Sequence, residues 1–400
     1  MEPVEDRCGS LVARVDEAGA ADGPLRGLTF VAKDVFAVRG RVAAAGCPEW
    51  AATHGAAPAH AAAVARLLAA GAALTGVAVT DELAFSLTGI ESRDGAPVNP
   101  AAPDRLPGGS SSGPAVAVAS GLADLALGTD TAGSIRVPAA FCGVCGFRPT
   151  HGRIALDGAV PLARSFDAAG LLARSGTVLQ RAAAALLDEP PQPRPVWAPR
   201  ELLVAADALA AADPATALAL SPSLTRAAAA LGGRRHDVVL APAPDALAAR
   251  AAAFRDLQGW EAWRAHGAWL TDVRPQLGPG VDARFAYART VTEEQRAAAE
   301  AVRDDVRAHL AALLGDGGVL ALPAAAGPPP RRDAPASALD AARARSLALL
   351  ATAGLAGAPT VVLPAGRVGG GPVGLALMGP PGGDEPLLAL AAALAPAQLG

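Results

Sequence analysis

Short apolar runs alternate with longer stretches of helical pattern along the chain. Residues 28–32 and 73–79 are mostly apolar and short, as buried strands are, and residues 60–70 between them have helical spacing. The same pattern predicts further strands at 125–127, 202–204, 237–240, 319–322, 360–363 and 373–377, and further helices at 113–120, 257–270 and 292–314. Strands that alternate with helices predict an α/β fold with a covered sheet.

Composition and charge narrow the range of functions. The chain has 400 residues, is 52% hydrophobic and carries a formal charge of −4, so it can bury a large core. No cluster of basic residues is interleaved with aromatic ones, which argues against a nucleic-acid partner. No domain boundary stands out, and the proline-rich residues 189–194 and 327–332 are predicted to be surface connections.

Two segments bear on membranes and export. Residues 346–366 are uncharged and long enough to cross a bilayer, but two glycines and two prolines interrupt them, so they are predicted as a buried helix, a turn and a strand. The first six residues are acidic where an export signal would be basic and then apolar. We expect no membrane insertion and a cytoplasmic location.

Four cysteines, Cys8, Cys47, Cys142 and Cys145, are too few and too scattered for a disulfide framework. Cys142 and Cys145 form a C-x-x-C pair, but no second pair is present to complete a zinc site. A redox motif of this kind would open a helix after a strand, which the surrounding glycines and proline disfavour. We predict packed thiols and no metal site.

Lys33 is the single lysine among the 34 lysine and arginine residues. Arginine serves wherever a positive charge alone is needed, so the retained lysine indicates a site that arginine cannot fill. Lysine in an apolar environment can lose its proton near neutral pH, and arginine cannot. Because its neighbours are mostly apolar, we interpret Lys33 as a functional base rather than as a chance lysine at the end of a strand.

Two serine-containing segments are rich in glycine and other small residues. They are residues 108–113 (GGSSSG), which contain Ser110, and residues 128–136 (GTDTAGSIR), which contain Ser134. Such backbone can turn tightly and direct several N–H groups into one concavity, as an oxyanion hole requires. A Gly/Ser run is more often a flexible loop, but here an apolar helix and a strand follow at once.

These residues resemble the amidase signature family. Residues 108–139 follow its signature pattern without a break, including Asp130, Ser134, Arg136 and Pro138, and Lys33 has the usual upstream place in a V-x-K-D context. Residues 27–50, 80–100, 105–175 and 353–391 are most similar to plant indole-3-acetamide amidases and their bacterial relatives, and residues 181–256 are less similar. The family fold is a single α/β domain with a mixed, twisted central sheet covered by helices on both faces.

The resemblance divides the expected single domain, residues 1–400, into three segments. They are a signature core at about 25–180, a variable helical segment at about 181–315, and a C-terminal sheet and helix segment at about 316–400. It also implies an enzyme that cleaves a small carboxylic amide to acid and ammonia. Neutral Lys33 would take a proton from Ser110, which takes one from Ser134 as Ser134 attacks the amide carbonyl.

Further roles follow from the same resemblance. The oxyanion would be held by backbone N–H groups of Thr131, Ala132, Gly133 and Ser134. The loops would be supported by Gly109, Ser111, Ser112, Asp130 and Arg136. The peptide before Ser110 is expected to be cis, and Ala132, where many relatives have glycine, is expected to have ordinary backbone angles. No metal or organic cofactor is required.

Other functions compete with this one. Residues 109–113 also satisfy G-x-S-x-G around Ser111, but a nucleophile elbow should follow a hydrophobic strand and needs a downstream histidine. His151 beside the signature is better interpreted as structural or as a pocket wall. A non-catalytic amidase-like binding module should have lost Lys33, and an amidotransferase subunit that needs a partner would be a longer chain.

The substrate is less well defined than the reaction. Trp260, Trp263 and Trp269 lie on one predicted helix and either wall an aryl pocket or pack in the core, the more common fate of a tryptophan stripe. Phe85, near Glu82 and Thr88, is a second pocket candidate by resemblance. The leading substrate is an arylacetamide such as indole-3-acetamide, and a homodimer is the default oligomeric state.

Overall fold

The computed structural model describes residues 5–188, 197–243 and 245–395. The strands are β1 Leu11–Glu17, β2 Thr29–Lys33, β3 Ala73–Ala78, β4 Leu125–Asp130, β5 Cys145–Arg148, β6 Ala168–Ala173, β7 Glu201–Ala205, β8 Arg235–Val238, β9 Gly318–Pro323, β10 Thr360–Val368 and β11 Gly371–Met378. The helices are α1 Pro48–Thr53, α2 Ala62–Ala69, α3 Ser112–Ala119, α4 Arg136–Cys142, α5 Gly176–Leu186, α6 Ala206–Ala211, α7 Pro214–Ala230, α8 Ala246–Val273, α9 Pro279–Ala288, α10 Glu293–Leu314, α11 Ala336–Ala356 and α12 Asp384–Leu394.

The strands of the described residues form one mixed sheet of eleven strands in the order β1-β3-β2-β4-β6-β5-β10-β11-β9-β7-β8. β2 lies between β3 and β4 and is parallel to both. β4 then pairs antiparallel with β6, so the carboxyl ends of β2 and β4 meet at the same edge of the sheet. Ligand sites of α/β proteins commonly lie at this edge. One continuous sheet makes the described chain a single α/β domain.

Helices cover both faces of the sheet. Along β2 the side chains alternate between two apolar cores, with Phe30 and Ala32 in one and Val31 in the other, and all three are fully buried. β4, β6 and β11 are buried along their whole length, as expected of strands covered on both sides. The edge strand β1 instead alternates between half-buried and exposed residues. The predicted fold class is therefore confirmed.

Most predicted elements are present, and two need correction. The strand predicted at 237–240 begins two residues earlier, as β8, and the helix predicted at 257–270 is the middle of the longer, alanine-rich α8. Residues 327–332 connect β9 to α11, as predicted, with Arg331 and Arg332 exposed, although Pro329 is buried and Arg331 forms a β-bridge with Arg105. Residues 189–194 lie outside the described residues.

The segment 346–366 has the predicted form, with the end of α11, a turn and the start of β10. Among the described residues, no helix is long and apolar enough to span a membrane. Cys142 ends α4 and Cys145 begins β5, the reverse of the order in a redox motif, and both are buried free thiols. Burial raises the pKa of Cys145 to about 12, which favours the unreactive thiol.

Candidate active site

Lys33 is the last residue of β2, and its side chain is fully buried. Its Nζ donates hydrogen bonds to Ser110 Oγ and to Thr129 Oγ1, both at 2.7 Å. Burial lowers the pKa of Lys33 to about 7, although the carboxylates of Asp81, Asp130 and Asp167 act in the opposite direction. A substantial fraction of this amine is therefore neutral at physiological pH and able to accept a proton.

Ser110 lies just before α3, and its environment is crowded. The Gly109–Ser110 peptide bond is cis, as expected. Asp81 lies against this peptide: its N–H donates to the Ser110 carbonyl at 3.3 Å, and a Cβ on Gly109 would lie 2.0 Å from Asp81 Oδ2. Glycine is therefore the residue that allows this close approach at position 109.

Ser134 lies between β4 and α4 and is 3% exposed. Its Oγ donates to the Ser86 carbonyl at 3.5 Å, and its own carbonyl accepts the Ser111 N–H at 3.2 Å. The Ser111 side chain donates to the Thr129 carbonyl at 3.2 Å. These contacts join the segment of Ser134 to the segment of Ser110, so the two serines and Lys33 belong to one buried cluster.

The backbone N–H groups of residues 131–134 have no hydrogen-bond acceptor among the described residues, although Thr131, Ala132 and Ser134 are at most 7% exposed. Buried N–H groups nearly always have an acceptor, so a row of free donors indicates a place for a ligand oxygen. Ala132 does not have a positive φ, as expected, whereas Gly133 has φ 138°. The unusual backbone angle therefore falls on the glycine.

The buried carboxylate of Asp130 accepts hydrogen bonds from backbone N–H groups of the turn that follows it and from two arginine side chains. Its carboxylate accepts the N–H groups of Ile135 and Arg136 and pairs with the Arg136 guanidinium at 2.8 Å. Arg148 pairs with the same carboxylate at 3.0 Å. Burial alone would raise the pKa of Asp130, but Arg136 and Arg148 hold it well below its usual range. Arg148, whose role the sequence did not reveal, thus joins Asp130 and Arg136 in one buried group of ion pairs.

The hydroxyl of Ser112 is buried and has no hydrogen-bond partner among the described residues. Ser112 is the first residue of α3.

A small cavity of about 80 Å³ adjoins the cluster. At one end it is lined by Thr129, Thr131 and Asp167. The rest of its wall consists of Ala84 and the connection before β6, through Leu156, Ala159, Val160, Pro161, Leu162 and Arg164. Because Thr129 contacts Lys33 and Thr131 begins the segment of free N–H groups, this cavity is the best candidate for the acyl part of a substrate.

The three tryptophans of α8 do not line this cavity. Trp263 and Trp269 pack against the core, and Trp269 Nε1 donates to Thr53 Oγ1 at 2.9 Å. Trp263 also lines a separate cavity of about 490 Å³ between α8 and α9. The guanidinium of Arg264 lies 5.8 Å from the ring centre of Trp260.

The other aromatic candidates are distributed as follows. Phe85 packs edge-on against Phe285 at 5.0 Å and directly precedes Ser86, the hydrogen-bond acceptor of Ser134. The backbone N–H of His151 donates to the Gly357 carbonyl, and its ring Nε2 lies 2.8 Å from the Arg164 carbonyl, which fits a structural role. No described group of three or more His, Cys, Asp or Glu residues could hold a metal ion.

Comparisons with known proteins give a consistent result. The model of the Amidase family matches residues 7–198 and 266–388. Amidase 1 of Arabidopsis thaliana is 38% identical over 397 residues, which cover 93% of each chain. Indoleacetamide hydrolase of Pseudomonas syringae pv. syringae is 44% identical over 175 residues, 42% of this chain and 38% of that protein. A crystal structure of an amidase superimposes with a TM-score of 0.81 and 33% identity, covering 92% of this chain and 84% of the other.

Proposed function

Because the chain belongs to the amidase signature family and is an amide-hydrolysing enzyme, we propose that it cleaves a small primary carboxylic amide to acid and ammonia through an acyl-serine intermediate. The single observation that carries this proposal is the contact of 2.7 Å between the buried Lys33 amine and Ser110 Oγ. A lysine whose pKa is lowered to about 7 by burial is suited to act as a base at neutral pH.

In the proposed mechanism, Ser134 Oγ attacks the amide carbonyl. Ser110 takes the proton of Ser134 and gives its own to neutral Lys33. The proton then returns through Ser110 to the departing ammonia, and water cleaves the acyl ester of Ser134 by the same relay. Every catalytic group in these steps is a side chain or backbone group of the protein, and water is the second reactant, so the mechanism requires no metal or organic cofactor.

The oxyanion formed in each step would be held by the free N–H groups of residues 131–134. Removal of one such donor typically costs about 3 to 4 kcal/mol in transition-state stabilisation. Asp130 and Arg136 would brace the turn that presents these donors, through the contacts of Asp130 with Ile135 and Arg136. Gly109 and Ser111 would support the segment of Ser110 through their packing against Asp81 and Ser134.

For the substrate we propose arylacetamides first, with indole-3-acetamide as the leading compound, because a relative is named indoleacetamide hydrolase. The cavity of about 80 Å³ beside Thr129 is small for an aromatic ring. A cavity of about 150 Å³ is known to bind benzene. We therefore expect an indole to fit only if the lining of this cavity is displaced, whereas a short aliphatic acyl group fits as it stands.

The test is ammonia release from a panel of primary amides that runs from short aliphatic amides to indole-3-acetamide, with the native enzyme and Lys33→Ala compared. Release by the native enzyme alone supports the Ser-Ser-Lys mechanism, and the order of rates across the panel defines the acyl pocket. Equal release by both proteins would remove Lys33 from the mechanism. If neither protein releases ammonia from any amide of the panel, the result counts against a free-standing amidase. It then favours an amidotransferase subunit that needs a partner, or a binding module without catalysis.

Three further properties are proposed from the sequence. The segments at about 25–180, 181–315 and 316–400 unfold as one cooperative domain, which a single calorimetric transition would support. The enzyme acts in the cytoplasm, to be tested by fractionation of the source cells. It forms a homodimer, the commonest symmetric assembly, to be tested by light scattering in solution.

A further inference from the structure

Asp167 is a buried carboxylate between the candidate cavity and the segment of free N–H groups. It directly precedes β6, and the register that pairs Asp130 with Ala168 brings Asp167 opposite Thr131. Asp167 is only 6% exposed, and it lines the cavity beside Thr131. Nothing in the proposed proton relay uses this group.

The two oxygens of Asp167 bind two different parts of the site. Oδ1 accepts the hydroxyl of Thr131 at 2.6 Å. Oδ2 accepts the backbone N–H groups of Leu162 and Ala163 at 2.9 and 3.0 Å. Thr131 begins the segment of free donors, and Leu162 belongs to the wall of the cavity. One carboxylate therefore links the wall that would hold the acyl group to the donors that would hold its carbonyl oxygen.

The link matters because both partners must keep their relative position within a fraction of an ångström for catalysis. The wall lies in the connection before β6, residues 156–164, which has no helix or strand and one isolated β-bridge, between Ala159 and Phe36. Its other polar contacts with neighbouring segments are the Val160 N–H to the Val35 carbonyl, the Ala37 N–H to the Gly158 carbonyl, the Ala62 N–H to the Asp157 carbonyl, His266 Nε2 to the Pro161 carbonyl, and His151 Nε2 to the Arg164 carbonyl. None of these contacts reaches residues 131–134, so among the described residues Asp167 is the polar contact that joins this wall to the segment of free donors. The hydroxyl of Thr131, held by Asp167, in turn restricts the orientation of the Thr131 peptide.

We propose that Asp167 is a positioning residue that holds the oxyanion segment and the acyl wall in register, so that a carbonyl bound in the cavity meets the free donors of residues 131–134. The inference rests on the proposed function, because it assumes that this cavity and these donors serve the reaction. It adds a residue that touches neither the nucleophile nor the base.

The carboxylate has a second, electrostatic consequence for Lys33. The negative charge of Asp167 stabilises the charged form of Lys33, together with Asp81 and Asp130. Removal of the Asp167 charge must lower the pKa of Lys33 further, so the acid limb of a rate profile moves to lower pH. This shift depends on the charge of Asp167 and is separate from its positioning contacts.

The experiment uses the full chain and a fluorophosphonate, which labels an activated serine and requires no knowledge of the substrate. Rates of labelling are measured against pH for the native enzyme and for Thr131→Val, Thr131→Ser, Asp167→Asn and Asp167→Ala. Hydrolysis of the best amide from the panel gives kcat and KM for the same proteins. Circular dichroism checks that each variant is folded.

Each variant has a separate expected result. Thr131→Val breaks only the link to the donors, so the labelling rate and kcat fall about tenfold with KM nearly unchanged. Thr131→Ser keeps the hydroxyl and remains close to native. Asp167→Ala breaks both links, so kcat falls at least as far and KM rises. Asp167→Asn is isosteric, and its acid limb moves to lower pH.

Two outcomes separate this inference from the proposed function. A native enzyme that is neither labelled nor active would contradict the proposed function itself. A native enzyme that is labelled, with Thr131→Val and Asp167→Ala labelled at the same rate, would overturn the positioning role alone.

Discussion

The Nζ of Lys33 lies 2.7 Å from Ser110 Oγ, although the two residues are 77 positions apart in the sequence. The pair is fully buried, so water does not compete for this hydrogen bond. Burial lowers the pKa of Lys33 to about 7, so this contact is suited to the proton transfer that we propose at neutral pH. Five expected outcomes follow from the surroundings of this pair.

The rate of hydrolysis should rise as the pH increases through about 7 and then level off. The neutral amine is the active form, and its fraction grows as the pH exceeds the pKa of Lys33. The measurement is kcat/KM between about pH 5 and pH 10 with a substrate that does not titrate in this range. A profile that is flat across it would leave Lys33 without a role as base.

Lys33→Arg should lose activity even though it keeps a positive charge. A guanidinium stays protonated in proteins, so it cannot take the proton of Ser110. We expect a loss of at least about 100-fold, the usual lower range for a lost general base. As a control for the exchange of arginine and lysine in general, Arg296→Lys alters the solvent-facing ion pair with Glu293 on α10 and should leave the rate unchanged. Comparable activity in Lys33→Arg and the native enzyme would mean that only charge matters at this position.

Ser134→Ala should abolish hydrolysis while the fold remains intact. The substitution removes one hydroxyl whose donor contact is a long hydrogen bond of 3.5 Å to the Ser86 carbonyl, so little stability is lost. Mass spectrometry of the native enzyme, quenched during turnover, should find the acyl group on the peptide that contains Ser134. Ser120→Ala, at the end of α3, is the matched control and should behave as native. Retained turnover in Ser134→Ala would move the nucleophile elsewhere.

Thr129→Val should slow the reaction and shift its pH dependence. Thr129 Oγ1 accepts a hydrogen bond from Lys33 at 2.7 Å, and valine has nearly the same shape without the acceptor. An acceptor stabilises the charged amine more than the neutral one, so its loss lowers the pKa of Lys33 and moves the acid limb to lower pH. Thr129→Ser should restore both rate and limb. A limb that moves to higher pH in Thr129→Val would contradict this account of the contact.

Asp130→Asn should destabilise the fold by about 3 to 5 kcal/mol, because it leaves the buried guanidiniums of Arg136 and Arg148 without their counter-charge. The pKa of Asp130 is lower in the folded than in the unfolded state, so this stabilisation is present at neutral pH and is lost as the pH falls below about 4. Urea denaturation of both proteins at neutral and acidic pH measures the difference. Asp333→Asn, in an exposed pair with Arg331, is the control. Equal stability of Asp130→Asn and the control would remove the bracing role.

The central residues of the site could be found from the sequence because they carry unusual chemistry in a recognisable pattern. Lys33 stood out as the only lysine, and Ser110 and Ser134 lie in glycine-rich segments of the signature. Their roles as base, relay and nucleophile stay predictions until the variants are measured. The cis peptide before Ser110 and the ordinary backbone of Ala132 are confirmed.

Thr129, Arg148 and Asp167 were not found, for physical reasons. Arg148 meets Asp130 only because β5 and β4 both pair with β6, a long-range arrangement that local sequence does not encode. Asp167 looks like any loop carboxylate until the register of β6 sets it against Thr131. Thr129 offered the best available signal, since it lies two residues after the predicted strand 125–127 and directly precedes Asp130.

The missed strands share a different cause. β5 has four residues, and β6 consists of alanine, glycine and leucine, so neither shows the β-branched enrichment or the alternation that marks a strand. Their position between β4 and β10 is decided by packing rather than by propensity. β1 was missed for another reason: its burial alternates, but the exposed face includes Val12 and the half-buried face includes Glu17, so the sequence itself does not alternate between apolar and polar residues.

The parallel pairing of β2 with β4 has a consequence for how the enzyme folds to an active state. Lys33 and Thr129 are joined across 96 residues, and Lys33 reaches Ser110 only when these strands are side by side. Contacts of such long sequence separation form late, after the entropy of closing a large loop has been overcome. We therefore expect a nascent chain, or a fragment cut between the two strands, to lack catalytic activity. Amide hydrolysis by this chain reports on the completed sheet rather than on any local segment.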